Sequence, residues 1–139
     1  MLTIWLDAWQ MTCCGEPFHV GSEIRWTLYD ELDDEWLAAV LGQPLAGAVT
    51  HAEDHHDAAP GIGIERSVRV LSIRAVSCRY GRRSGRSGFY PIAETGELRE
   101  RSEVHGARPS ETRTTTSEPW RLNDGDRRFV GYLVEAEAL

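Results

Sequence analysis

The run SVRVLSIRAVSCRY, Ser67 to Tyr80, restricts the fold more than any other stretch of the chain. Val68 and Val70 share one parity, Leu71, Ile73 and Ala75 take the other, and Val76, Cys78 and Tyr80 switch back. Side chains alternate between faces along a strand, so a regular strand with one wet face keeps its apolar residues in one parity. Here either both faces are buried or a β-bulge bends the strand, as in small barrels. Residues 68–80 are therefore read as a central, bent strand. It pairs antiparallel with at least one of the segments near 23–28 and 128–136.

Those segments have strand patterns of their own. TIWLDAW, from Thr3, reads as the first strand, followed by a turn around Gly15 and Pro17. In the second, Ile24, Trp26 and Leu28 alternate with Glu23, Arg25 and Thr27. RRFVGYLVEAE closes the chain with apolar residues of both parities, and FYPIA is a short strand with an edge-type proline. DELDDEWLAAVLG is the clearest helix, with Asp30 or Asp33 as cap, Leu32, Trp36, Leu37, Val40 and Leu41 as its apolar stripe, and Gly42 at its end. QPLAGAVTHAEDHHDAAP gives a second, weaker helix through Leu45, Ala48, Val49 and Ala52. Glu94 to Glu118 is polar and reads as a long, mobile connection. The fold class is α+β: a small, strongly bent antiparallel β-sheet or partly open β-barrel. A two-helix insertion, about residues 30–57, lies between strands two and three. Residues 1–139 form a single domain.

Composition excludes some roles. The hydrophobic fraction of 41% and five tryptophans fit a folded protein. No apolar run approaches the roughly 18 residues of a membrane span. The N-terminus lacks a basic region and carries Asp7, which points to the cytoplasm and to no membrane partner. A net charge of -7 repels phosphates. All 15 basic residues are arginine, a bias of GC-rich genomes.

Three groups of side chains could carry chemistry. Cys13, Cys14, His51, His55, His56 and Cys78 are the ligand types that zinc prefers, and His51 and His55 would share one face of a helix. No C-x-x-C or H-E-x-x-H spacing accompanies them, and a cysteine is as readily a buried small hydrophobe. The adjacent thiols are too close to pair with each other, since neighbouring Cα atoms lie about 3.8 Å apart. In an extended segment one of them would be buried and the other would face a cavity or solvent. Cys14, before Gly15, is the candidate nucleophile of a cysteine hydrolase, with Glu53 or Asp54 orienting a histidine. Arg79, Arg82, Arg83 and Arg86, interleaved with Tyr80, Phe89 and Tyr90, could hold a single-stranded nucleic acid or a protein partner. Trp26 and Trp36 belong to the core by pattern, and an exposed tryptophan elsewhere would mark an interface.

WLDAWQMTCCGEPFHVGSEIRWTL, the EDHH segment, IRAVSCRY and RRFVGYLVE together resemble an uncharacterised actinobacterial family of small proteins, of Streptomyces type, whose domain has no known function. The resemblance implies a self-contained cytosolic protein and carries no activity or ligand with it. The functional reading is a non-enzymatic binding or protein-interaction module for a protein or small-molecule partner. Its alternatives are a zinc-stabilised small barrel, a single-strand nucleic-acid binder and, behind both, a cysteine hydrolase.

Overall fold

The computed structural model describes residues 1–14, 16–55, 61–105 and 123–139, with the side chains of 12–14 left aside. The elements run β1 (Leu2–Asp7), α1 (Ala8–Cys14), β2 (Phe18–His19), β3 (Glu23–Tyr29), α2 (Asp34–Leu41), α3 (Leu45–Ala48), β4 (His51–Glu53), β5 (Ile64–Arg82), β6 (Phe89–Pro91), β7 (Glu97–Arg101), β8 (Glu103–Val104) and β9 (Arg127–Ala138). A seven-stranded sheet holds most of them in the order β3-β4-β1-β9-β5-β6, with β7 also on β5. Pairing of β3 with β5 closes β3, β4, β1, β9 and β5 into a ring. Every ladder of the ring is antiparallel except the short β1–β4 pairing. None of the helices among the described residues is long and apolar enough to cross a membrane.

β5 explains its own parity. The register with β9 shifts between Val70 and Ser72, so Leu71 bulges outward and is exposed. That extra residue keeps Val68, Val70, Ile73 and Ala75 together inside the ring, although their parities differ. Val76 and Cys78 point the other way, into a second core. The two explanations of the sequence pattern therefore both hold, one at each end of the strand.

Two cores follow from two buried sheet faces. Ile4 and Leu6 of β1 and Tyr132, Val134 and Ala136 of β9 fill the ring with the inward residues of β5. Met11 of α1, Phe18 of β2 and Val104 of β8 join that cluster, with β2 and β8 paired as a separate two-stranded sheet. On the outer face Trp5, Leu133, Val76 and Cys78 meet Leu37 and Val40 of α2 and Ala46 of α3. Asp33 caps α2, its carboxylate accepting from the Trp36 backbone N–H at 3.1 Å, and Gly42 ends the helix at φ 72°.

Three expectations need correction. The second helix stops after one turn at Ala48, and His51 to Glu53 form a strand instead. Pairing with β1 (Ile4 with His51, Trp5 with Ala52) and with β3 overrides a weak helical pattern already interrupted by Gly47. Residues 8–14, expected to run from strand into turn, are helical, so the extended geometry that would send Cys13 and Cys14 to opposite faces does not exist. The polar stretch after Glu94 contains β7 and β8, with Val104 buried; the remainder of that connection, from 106, lies outside the described residues.

Candidate functional site

The most costly residues of the fold sit at the end of β4. Glu53 and Asp54 are only 5% and 4% exposed. Buried carboxylates lose hydration and stay ionised only with good partners, so such a pair marks a place where something other than stability is at stake. Asp54 accepts from Gln10 Nε2 of α1 at 2.7 Å. For Glu53 the partner is His55, whose Nδ1 lies 3.0 Å from one carboxyl oxygen and 3.3 Å from the other. One N–H thus serves two oxygens that could accept about four hydrogen bonds between them. Burial pushes the Glu53 carboxyl above the usual range, against the pull of His55.

Glu53 forms part of the wall of two cavities. One, of about 300 Å³, opens at the mouth of the ring. Leu6, Met11, Phe18, Ile24 and Trp26 line its apolar side, and Arg25, Thr27 and His55 its polar side. The other, of about 440 Å³, lies outside the ring between β1, α1 and α2. Trp5, Trp9 and Trp36 line it together with Asp7, Glu31, Asp33, Glu53 and Asp54.

Hydrogen bonds to Asp7 hold two indoles of this second cavity, and a ring contact places the third. Trp5 donates its indole N–H to Asp7 at 2.9 Å. Its ring meets that of Trp36 edge-to-face, with centroids 5.5 Å apart. Asp33 holds the first turn of the helix that carries Trp36. Burial raises the Asp7 carboxyl above its ordinary range, opposed by hydrogen bonds from Trp5 and Trp9. Trp5 is buried, Trp36 half-buried and Trp9 49% exposed. Trp36, placed in the core by its sequence pattern, is thus a cavity residue.

The metal-ligand candidates disperse where they are described. His51 Nδ1 is 2.9 Å from Thr50 Oγ1, on a strand and not a helix, so the i, i+4 argument for His51 and His55 fails. His55 pairs with Glu53, as the sequence suggested a carboxylate might. Cys78 is fully buried in the outer core, its thiol pushed up to about 11 by burial, which leaves it protonated and inert. Cys13 and Cys14 side chains and the whole of His56 lie outside the described residues. Among the described residues no three His, Cys, Asp or Glu side chains form a metal-binding group.

The arginine-aromatic segment is partly self-satisfied. Arg82 covers the Phe89 ring at 4.9 Å and Arg83 the Tyr90 ring at 5.0 Å. Arg79 donates to the Gly125 carbonyl, and Tyr90 donates to that of Ser87. Tyr80 is half-buried, its hydroxyl pushed up to about 12 by burial, while Arg86 is exposed. The Phe89 and Tyr90 rings each already carry a guanidinium.

Sequence reading missed Asp7 and Gln10 as site residues and gave Glu53 or Asp54 only the role of orienting a histidine. The available signal was Asp7 two residues after Trp5 and two before Trp9, but the long-range partner, β4, was read as helix. The chain belongs to the family of unknown function DUF6578, whose model matches residues 1–138. No curated protein and no solved structure matches it.

The raised carboxyl of Glu53 gives a signed prediction. The folded state holds this proton to higher pH than the unfolded chain does, so stability from this group is present at acid pH and falls as pH rises through the raised value. Glu53→Gln, which keeps the shape without the charge, is expected to gain stability relative to the natural protein between about pH 4 and pH 7. Thermal melts of both proteins across that range check the sign. A Glu53→Gln protein that loses relative stability on the way up would show the charge to be stabilising.

Proposed function

We propose that this protein is a non-enzymatic binding module whose small-molecule site is the tryptophan-walled cavity between β1, α1 and α2. The observation that carries the reading is Trp9, a residue 49% exposed that lines a 440 Å³ cavity. A cavity of this size lies within the usual range for small ligands, and covering an exposed indole recovers apolar burial. Trp5 and Trp36 are already fixed in place, so little ordering is left for binding to impose. Nothing among the described residues favours the zinc, nucleic-acid or hydrolase readings over this one. Arginine at all 15 basic positions supports an actinobacterial source.

The test is a mixed fragment panel screened by ligand-observed NMR on the natural protein and on Trp9→Ala. About half of Trp9 is covered and it hydrogen-bonds Asp7, so the melting temperature of Trp9→Ala is measured alongside to show that the variant stays folded. Binding by members of the panel that disappears in Trp9→Ala is the expected result. No binding, or binding that survives the substitution, would overturn the reading.

A further inference from the structure

We infer that the cavity at the mouth of the ring is a second ligand site, which takes an uncharged, flat aromatic molecule carrying a hydroxyl group. The inference does not depend on the tryptophan-walled cavity. It starts from an acid standing where the fold calls for a hydrocarbon. Glu53 is the partner of Leu28 in the β3–β4 ladder, and directly paired residues share a face of the sheet. Leu28 belongs to the inner core with Leu6, so the Glu53 side chain is turned into the ring. Well-packed hydrocarbon in place of a buried ion pair is often neutral or stabilising, so stability does not account for Glu53. Beside it the inner core stops short of filling the ring and leaves the cavity of about 300 Å³.

The lining specifies the ligand. Leu6, Met11, Phe18, Ile24 and Trp26 make the walls apolar. Phe18 and Trp26 stand edge-to-face, with centroids 5.3 Å apart and planes at 86°. A flat ring set in that corner stacks on one and meets the other edge-on, the two arrangements aromatic pairs prefer. An apolar cavity of about 150 Å³ holds benzene, so this one has room for two fused rings. At the polar end His55 Nδ1 lies within hydrogen-bonding distance of both Glu53 oxygens, at 3.0 and 3.3 Å. The buried acid thus brings its own partner, and an ammonium ligand would find it already engaged. A carboxylate ligand would be set against Glu53. With His55 protonated the lining is balanced, Glu16 and Glu53 against Arg25 and His55, which favours a ligand without charge. A hydroxyl suits His55 in either protonation state, because it both donates and accepts.

The decisive comparison is between 2-naphthol, naphthalene and 2-naphthoate, which share the two fused rings and differ in the polar group. Isothermal titration of the natural protein is expected to show 2-naphthol binding about tenfold more tightly than naphthalene, and at least about tenfold more tightly than 2-naphthoate. Trp9→Ala should bind 2-naphthol unchanged, which separates this site from the tryptophan-walled one. The double variant Glu53→Leu with His55→Phe should still bind naphthalene and lose the preference for 2-naphthol. Removing both partners strands no buried charge, and the melting temperature of the double variant is measured alongside. A second readout needs no variant at this site: the Trp26 indole N–H resonance of the natural protein should move saturably with 2-naphthol. Naphthalene or 2-naphthoate binding as tightly as 2-naphthol would overturn the inference, as would 2-naphthol failing to bind or leaving Trp26 unmoved. Loss of 2-naphthol binding in Trp9→Ala, or a preference kept by a folded double variant, would overturn it too.

Discussion

Gly131→Ala is expected to cost about 3 kcal/mol, at the upper end of what overpacking usually costs. A Cβ at this position would run into the Leu6 carbonyl oxygen and lie 2.6 Å from Cζ2 of Trp5. Neither obstacle can swing away. The carbonyl belongs to the β1–β9 ladder, where Asp7 pairs with Gly131, and Trp5 is held in the outer core by Asp7 and Trp36. Gly47→Ala is the matched control, because its new methyl meets only the Gln43 side-chain oxygen at 3.2 Å, which needs to give by a few tenths of an ångström while keeping its hydrogen bond from the residue 47 N–H. Alanine within a helix gains up to about 1 kcal/mol over glycine, so this variant should be neutral or better. Urea denaturation with an unchanged slope checks both. A Gly131→Ala cost below about 1 kcal/mol would show β1 and β9 to be packed less closely than described.

Trp5→Ala is expected to cost about 3–5 kcal/mol, the usual range for removing a buried tryptophan. The ring is 3% exposed and contributes to both the outer core and the cavity wall. Trp36→Ala should cost less, roughly 1–2.5 kcal/mol, because its ring is only half-buried and less area is transferred to water. Their edge-to-face contact predicts a coupling of about 0.5–1.5 kcal/mol in a double-mutant cycle. Additive losses would mean that the two rings do not touch. Equal single losses would return Trp36 to the core and shrink the cavity.

The strands were legible because their burial leaves a mark in the spacing of apolar residues. In β5 the change of parity at Val70–Leu71 coincides with the shift of register there, and the outward Val76 and Cys78 carry the second core. Capping of α2 by Asp33 and its end at Gly42 follow from local chemistry in the same way. β4 was not legible. Three residues are too few to show a strand period, and Leu45, Ala48, Val49 and Ala52 mimic a helical stripe. The site was hidden for the same reason. Glu53 and Asp54 look solvated in a helix, and only the pairing of β4 with β1 and β3 buries them. The cysteines and histidines drew attention through residue type, whereas the cavity depends on contacts such as Gln10 with Asp54 across 44 residues.

The claim that a small molecule enters between Trp5, Trp9 and Trp36 is tested most directly by the indole N–H resonances in a ¹H–¹⁵N spectrum titrated with the fragments that bind the natural protein and not Trp9→Ala. Trp26 is a built-in control, since it lines the other cavity and packs edge-to-face on Phe18. Assignments come from single Trp→Phe variants. The account predicts saturable shifts of the Trp5, Trp9 and Trp36 signals with Trp26 unmoved. A response centred on Trp26, or no saturable shift at Trp5, Trp9 and Trp36, would contradict it.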